Sequence, residues 1–272
     1  MIFKTRNYTL DLHDRTGIMA VINLTPDSFY EGSRYSFNSA VEYAIQAQAK
    51  GASIIDLGAQ STAPGNSPIT AEEELQRLIA PLKAIRKKVD IPISIDTYFP
   101  QVARAALESG ADIINDVSGT VCEEMANIAA EFNAGWIIMH TGGLTSNDLR
   151  TERTDIVEEI NSFFKAAAEK AIRFGLSEAQ LCFDPGIGFG KTREDDLKII
   201  AEFSKLDSSS CVKLAALSRK RVTRLCGDAL TGTVLSNAAC IAGGANIIRV
   251  HDIEQGIAAA KMTKLLMEAK NG

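Results

Sequence analysis

Eight short runs rich in Ile and Val recur along the chain, at 17–24 (GIMAVINL), 54–58 (IIDLG), 92–97 (PISIDT), 113–117 (IINDV), 136–140 (WIIMH), 181–186 (LCFDPG), 212–218 (VKLAALS) and 247–252 (IIRVHD). They are continuous apolar stretches rather than alternating ones, the pattern of strands buried on both faces. Every gap between them exceeds the dozen or so residues that a parallel crossover needs, and none reads as a hairpin. The gaps carry helical periodicity instead. Over 70–89, Thr70 and Glu73 form a capping box, and Leu75, Leu78, Ile79, Leu82, Ile85 and Val89 share one face. Pro81 predicts a kink there, or a break into two helices. Segments 100–108 and 155–174 show the same spacing.

A short internal repeat strengthens the pattern: GASIID (51–56), GADIIN (110–115) and GANIIR (244–249), with a degenerate copy at 134–138. Each places a helix-ending Gly two residues ahead of a buried strand, so each marks an αβ joint. The 272 residues fit either one barrel or two ordinary domains by length alone. Eight βα units without a low-complexity linker decide for an α/β protein built as a single (β/α)8 TIM barrel over 1–272, in preference to a doubly wound open sheet.

Composition narrows the partners. The chain is 46% hydrophobic, enough for a large core, and its net charge of −5 lacks the basic excess that phosphate contacts to nucleic acid demand. Cys122, Cys182, Cys211, Cys226 and Cys240 lie far apart without CxxC or CxxH spacing, so they read as reduced, mostly buried thiols. Neither a signal-peptide core behind Lys4 and Arg6 nor a membrane-spanning apolar run is present, and a cytoplasmic protein is expected.

Chemistry in such barrels sits at the carboxyl ends of the strands. Here those ends supply Asn23 with Asp27, Asp56, Asp96, Asn115 with Asp116, His140, Asp184, Ser218 with Lys220, and Arg249 with His251. Asp or Asn after a strand is often only a cap for the next turn, but eight polar ends in eight strands suggest a site. Carboxylates and amides suit a flat heterocycle with several N–H donors, while Arg249, His251 and Asn23 suit an anion. A polar ring carrying a phosphate satisfies both. The loop DPGIGFGKT (184–192) fails the GxxxxGK[ST] pattern, since Pro185 stands where Gly is needed. Its glycines are read as letting backbone approach a ligand held by Asp184. Lys220 as a Schiff-base lysine is the weaker alternative.

Taken in order, NLTPDSF (23–29), ID (55–56), STAPG (61–65), SIDT (94–97), INDVSG (114–119), Met139-His140, FDPGIGFGKT (183–192), SRK (218–220) and RVHD (249–252) resemble the motif series of the dihydropteroate synthase family. The resemblance runs from residue 17 to the C-terminus. It implies the barrel argued above and an enzyme that joins 6-hydroxymethyl-7,8-dihydropterin diphosphate to 4-aminobenzoate, with Mg²⁺, releasing pyrophosphate in folate synthesis. It also implies the roles of individual residues. Asp96, Asn115, Asp184 and Lys220 would hold the pterin. Asn23, Arg249 and His251 would hold the diphosphate, Asn23 also through Mg²⁺. Thr62, Ser218 and Phe29 would line the aminobenzoate side, and Asp27 would lie on a loop closing over the site. Lys220, Arg249, His251 and Asp27 would be the catalytic set. The implied partners are these small molecules and a second copy of the chain, with no nucleic acid and no membrane.

Three places depart from the family's usual pattern: the segment 59–63, the segment after His140, and residue 221. Ala63 stands where Arg is common, Ala59-Gln60 replaces Gly-Glu, Thr141-Gly142-Gly143 follows His140 where an Arg is usual, and Arg221 follows Lys220 where Ser is common. The departures gather on the aminobenzoate side. Two functions therefore remain: the synthase, or a pterin-binding paralogue without that activity or acting in methyl transfer. Retention of Arg249, His251 and Asn23 favours the synthase, because only a diphosphate ester needs them.

Overall fold

Each of the eight apolar runs folds as a strand. The computed structural model describes residues 1–24, 37–60, 69–142 and 155–271. Among them, β3 (Gly17–Asn23), β4 (Ile54–Gly58), β5 (Ile93–Asp96), β6 (Ile113–Asp116), β7 (Gly135–Met139), β8 (Leu181–Asp184), β9 (Val212–Ala215) and β10 (Ile247–Val250) close into one parallel barrel, with β10 pairing β3. The crossovers carry α1 (Phe37–Lys50), α2 (Ala71–Arg86), α3 (Pro100–Glu108), α4 (Glu123–Glu131), α5 (Ile156–Arg173), α6 (Arg193–Ala201) and α7 (Ala229–Ala242), and α8 (Ile253–Asn271) follows the last strand. No helix of the described residues is long and apolar enough to cross a membrane.

Strand geometry sorts side chains into two cores, because successive residues point to opposite faces. Ile18, Ala20, Ile55, Leu57, Ile95, Trp136, Ile138 and Phe183 face the helices, where Phe183 stacks on Phe164 of α5 at 4.8 Å between ring centroids. Met19, Ile54, Ile113, Ile137, Cys182, Val212, Leu214 and Ile247 fill the barrel itself. That inner core is completed by an N-terminal hairpin, β1 (Ile2–Lys4) and β2 (Thr9–Asp11), whose Phe3 and Leu10 plug the amino-terminal end together with Leu12. Two strands of three residues each are too short to register as apolar runs, so the sequence reading passes over them.

The repeated joints behave as their composition predicts. Gly51, Gly110 and Gly244 sit at φ +102°, +108° and +92°, and in the degenerate copy Asn133 takes the left-handed position at φ +50°. Helix α2 begins one residue after Thr70, whose hydroxyl accepts from the Glu73 N–H at 3.2 Å, and it runs unbroken through Pro81 to Arg86. A break at Pro81 is thus not needed.

The hairpin is fastened to the barrel by one buried carboxylate. Asp112 accepts from the Ile93 N–H at 3.0 Å, from Arg86 Nη1 at 3.1 Å and from Asn7 Nδ2 at 2.8 Å. Removing it would take the counter-charge from the Arg86 guanidinium and leave the Ile93 N–H without its acceptor. Asp112→Ala is therefore expected to lower stability by about 3–5 kcal/mol in urea denaturation. A loss under about 1 kcal/mol would mean that the Asp112 carboxylate adds little to the hold on the hairpin.

Candidate active site at the carboxyl ends of the strands

Two residues further along the strands, the inward positions change character. Ile54 gives way to Asp56, Ile113 to Asn115, Cys182 to Asp184 and Ile247 to Arg249, while on β5 the inward pair is Ser94 and Asp96. A polar layer thus lies directly on the apolar plug. The Arg249 guanidinium donates from Nε to Asp56 Oδ2 at 2.7 Å and from Nη2 to Asp96 Oδ2 at 2.8 Å, and Asn115 Nδ2 reaches Asp56 at 3.4 Å. Burial opposes the charge on Arg249, but Asp56 and Asp96 more than offset it and hold its pKa above the usual value. Burial raises the Asp96 carboxyl, with Arg249 pulling back and Asp56 adding to the rise. Asp184 is raised chiefly by burial, against the pull of Lys220.

The glycine loop after β8 forms the neighbouring wall. Asp184 accepts from the Gly186 N–H at 2.7 Å, and Gly186 sits at φ +66° where a Cβ would fall 1.9 Å from the His140 carbonyl oxygen. Only glycine fits there. Lys191 turns inward and donates to the carbonyls of His140, Gly186 and Phe189 at 3.2, 2.9 and 3.2 Å. Its ammonium thereby fixes the loop's curvature from behind. Across the loop, Lys220 Nζ donates to the Ile187 carbonyl at 2.6 Å and lies 4.5 Å from the centre of the Phe189 ring. Burial lowers both lysines to about 8.

The third wall joins the ends of β9 and β10. Ser218 Oγ lies 3.0 Å from His251 Nδ1 and accepts from the His251 backbone N–H at 3.3 Å. One residue on, Arg219 and Asp252 form a two-point ion pair at 2.9 and 2.6 Å. Tyr43 of α1 donates to the His251 carbonyl at 3.0 Å. Burial, with Arg249 and Arg219 nearby, lowers His251 to about 4, so its imidazole is neutral. At the end of β3, a Cβ on Gly58 would stand 3.8 Å from both Asn23 Oδ1 and Asp96 Oδ2, so glycine keeps the space between them open.

Of the residues expected at the site, Asn23, Asp96, Asn115, Asp184, Ser218, Lys220, Arg249 and His251 converge on this mouth. Asp27, Phe29, Thr62 and Ala63 lie outside the described residues. Asp116 faces outward and accepts from the Ser118 N–H at 2.9 Å, which is the turn-capping role. His140 also faces outward, 3.3 Å from Glu159 and edge-on to Phe163. Two of the three departures meet at the glycine loop. A Cβ on Gly142 would stand 2.6 Å from the Gly190 oxygen, and Arg221 donates to the Lys191 carbonyl at 3.1 Å with Asp196 at 3.6 Å. Gln60 Nε2 donates to the Tyr98 hydroxyl at 3.0 Å.

The pattern reading missed Lys191 and Glu74. The second had a signal: Glu74 occupies the buried row of α2 with Ala71, Leu78, Pro81 and Ile85, a charge within an apolar stripe.

The model of the pterin binding enzyme family matches residues 19–251. A dihydropteroate synthase of Synechocystis sp. is 39% identical, the match covering 90% of this chain and 88% of that protein. The chain belongs to the dihydropteroate synthase family. Solved dihydropteroate synthases share the fold at high fidelity. That of Clostridium difficile, in the presence of pteroic acid, is 36% identical with a TM-score of 0.86, covering 94% of this chain and 98% of its own. That of Thermus thermophilus, in complex with 4-aminobenzoate, is 33% identical with a TM-score of 0.85, covering 98% of this chain and 100% of its own.

Glu74 gives the site a testable pH dependence. Burial pushes its carboxyl up to about 7, opposed by Thr97 and reinforced by Asp96, whereas an unstructured glutamate titrates near 4.5. The stability supplied by its neutral form is complete below pH 4.5 and is lost as pH rises through about 7. Glu74→Gln keeps the neutral shape, so its stability relative to the parent should climb between about pH 5 and about pH 8 in urea denaturation. A difference that stays constant over that range would mean that Glu74 is ionised in place.

Proposed function

We infer that the chain condenses 6-hydroxymethyl-7,8-dihydropterin diphosphate with 4-aminobenzoate, giving 7,8-dihydropteroate and pyrophosphate in folate synthesis. The observation that carries this reading is the buried layer of Asp96, Asn115 and Asp184 set beside Lys220, Arg249 and His251. A pterin offers its 2-amino group and N3–H side by side, and a carboxylate such as Asp184 accepts both. Lys220 faces the ring's acceptor edge. Asp96 and Asn115 take further ring donors, and Arg249, tied down by Asp56 and Asp96, presents its remaining N–H groups to the diphosphate.

The methylene carbon bearing the diphosphate is benzylic in character, so its C–O bond breaks ahead of attack while the ring spreads the positive charge. The amine nitrogen then bonds to that carbon, pyrophosphate leaves and one amine proton is released. The chain's main work is electrostatic: Arg249 and His251 stabilise the departing charge. A neutral aromatic amine needs little help from a general base.

Mg²⁺ fits the site on the chemistry of its donors. No group of three metal-binding carboxylates, histidines or cysteines exists among the described residues, while Asn23 offers one neutral oxygen beside the opening kept by Gly58. That suits a cation that takes most of its ligands from phosphate and water. Asn23 would hold it, and the ion would supply neutralisation of diphosphate charge. The resemblance gives Thr62, Ser218 and Phe29 to the aminobenzoate side and Asp27 to the catalytic set.

A second copy of the chain is the proposed partner. Leu235 of α7 and Met262, Leu265 and Leu266 of α8 are 56–60% exposed, and the α8 residues follow i, i+3, i+4 spacing on one stripe. Light scattering should give twice the 29.3 kDa chain mass, and Leu266→Glu should halve it. A monomeric parent would refute the dimer. Widely separated, unpaired cysteines fit a reducing cytoplasm.

The function is tested by pyrophosphate release from pterin diphosphate with Mg²⁺, with and without aminobenzoate. Release is expected only with both substrates. Asp184→Asn should abolish it and weaken pterin binding by about a hundredfold or more, because an amide donor then faces a donor edge. Tight pterin binding without release would favour a pterin-binding paralogue.

A further inference from the structure

The contact between Ser218 and His251 is more specific than lining a pocket requires. The two residues stand at the ends of adjacent parallel strands, and the contact is followed at once by the Arg219–Asp252 pair. Arg219 is held at φ +59°, and its N–H donates to Thr233 Oγ1 of α7 at 3.0 Å. With Tyr43 holding the His251 carbonyl from α1, the imidazole is positioned from three elements.

Hydrogen counting favours one ring nitrogen for the imidazole proton, because Ser218 Oγ has one O–H to place and a partner for it on the ring. Ser218 Oγ already accepts from the His251 backbone N–H. Among the described residues, the one acceptor that its own O–H meets is His251 Nδ1, at 3.0 Å. A hydroxyl that donates to Nδ1 requires that nitrogen to carry no proton, so a neutral ring must carry its proton on Nε2. Nε2 is then the ring nitrogen that carries the donor, with Arg249 near enough to act on the ring's charge.

We propose that Ser218 is a positioning residue for His251, fixing the Nε2–H tautomer so that the imidazole presents a neutral N–H donor to the leaving diphosphate. This replaces the expectation that Ser218 lines the aminobenzoate side. It rests on the diphosphate reading above for its kinetic consequences only, since the tautomer itself is a property of the protein without substrate. His251 then acts as a fixed dipole beside the cationic Arg249 and has no proton to lose at neutral pH. A cation at His251 would stand against Arg249 and Arg219, both of which oppose its charge.

The chain has three histidines, His13, His140 and His251, so ¹⁵N-histidine labelling gives a spectrum simple enough to assign with a His251→Gln variant. In the unaltered protein at neutral pH, Nδ1 of His251 should resonate as the unprotonated nitrogen and Nε2 as the protonated one. Ser218→Ala should give mixed tautomers, and Ser218→Thr, which restores the hydroxyl, should return the single form. In binding, Ser218→Ala should weaken pterin diphosphate by about fivefold, the worth of one neutral hydrogen bond, while free hydroxymethyl-dihydropterin binds unchanged. The KM for aminobenzoate should not move. A protonated Nδ1 in the unaltered protein would overturn the proposal even if no Ser218 variant folds. So would a rise in aminobenzoate KM alone, which would return Ser218 to the second substrate. Loss of the synthase activity assignment would leave the spectroscopic result standing, so the two readings fail separately.

Discussion

The rest of the site is arranged around one buried cation. Arg249 rises from the middle of the barrel and spans Asp56 and Asp96 on neighbouring strands. An unpaired guanidinium at that depth would be prohibitive, and two carboxylates without it would repel each other into protonation. The three groups must therefore be present together. The pairing also leaves part of the guanidinium unspent, so the same side chain that makes the layer electrically tolerable remains a donor for an anion above it. Structure and function here share one charge balance.

That balance is possible because the layer below is dry. Phe3, Leu10 and Leu12 of the amino-terminal segment close the barrel bottom against Met19, Ile54, Ile113 and Ile247, so the polar layer meets water only from the carboxyl end. Low local polarity lowers Lys191, Lys220 and His251 and raises Asp184 and Glu74. It also strengthens each hydrogen bond offered to a substrate.

Much of this was legible in the sequence, for identifiable reasons. Strands buried on both faces appear as unbroken Ile and Val runs, and glycine at the end of a helix marks an αβ joint, so the barrel and its strand ends could be read directly. Polar residues at those ends are conspicuous because they interrupt apolar runs. Three kinds of feature stayed hidden. The hairpin β1–β2 is too short to carry periodicity. Lys191 looks like an ordinary charge after a glycine loop, and only the fold shows its ammonium among three carbonyls. Partnerships between distant residues, such as Arg249 with Asp56, leave no local pattern. His140 and Asp116 mislead in the opposite sense: they sit at strand ends but point outward, because facing alternates and a motif does not say which parity is inside.

Two of the places where the chain departs from its family's usual pattern meet at the glycine loop. Gly142 presses on the Gly190 carbonyl, and Arg221 reaches the Lys191 carbonyl and the buried Asp196, whose other oxygen accepts from the Gly188 N–H at 2.7 Å. An arginine side chain at 142 has no room against that loop, and Arg221 braces the same loop through the Lys191 carbonyl. The layer around Arg249 is over-determined by mutual charge pairing, so a single exchange there would strand a buried ion. The Arg221 side chain is half-exposed and holds the loop through a backbone carbonyl, a contact that a substitution can alter without stranding a buried ion. Charge pairing thus protects the buried layer, while a loop held by backbone contacts accepts the departures found on it.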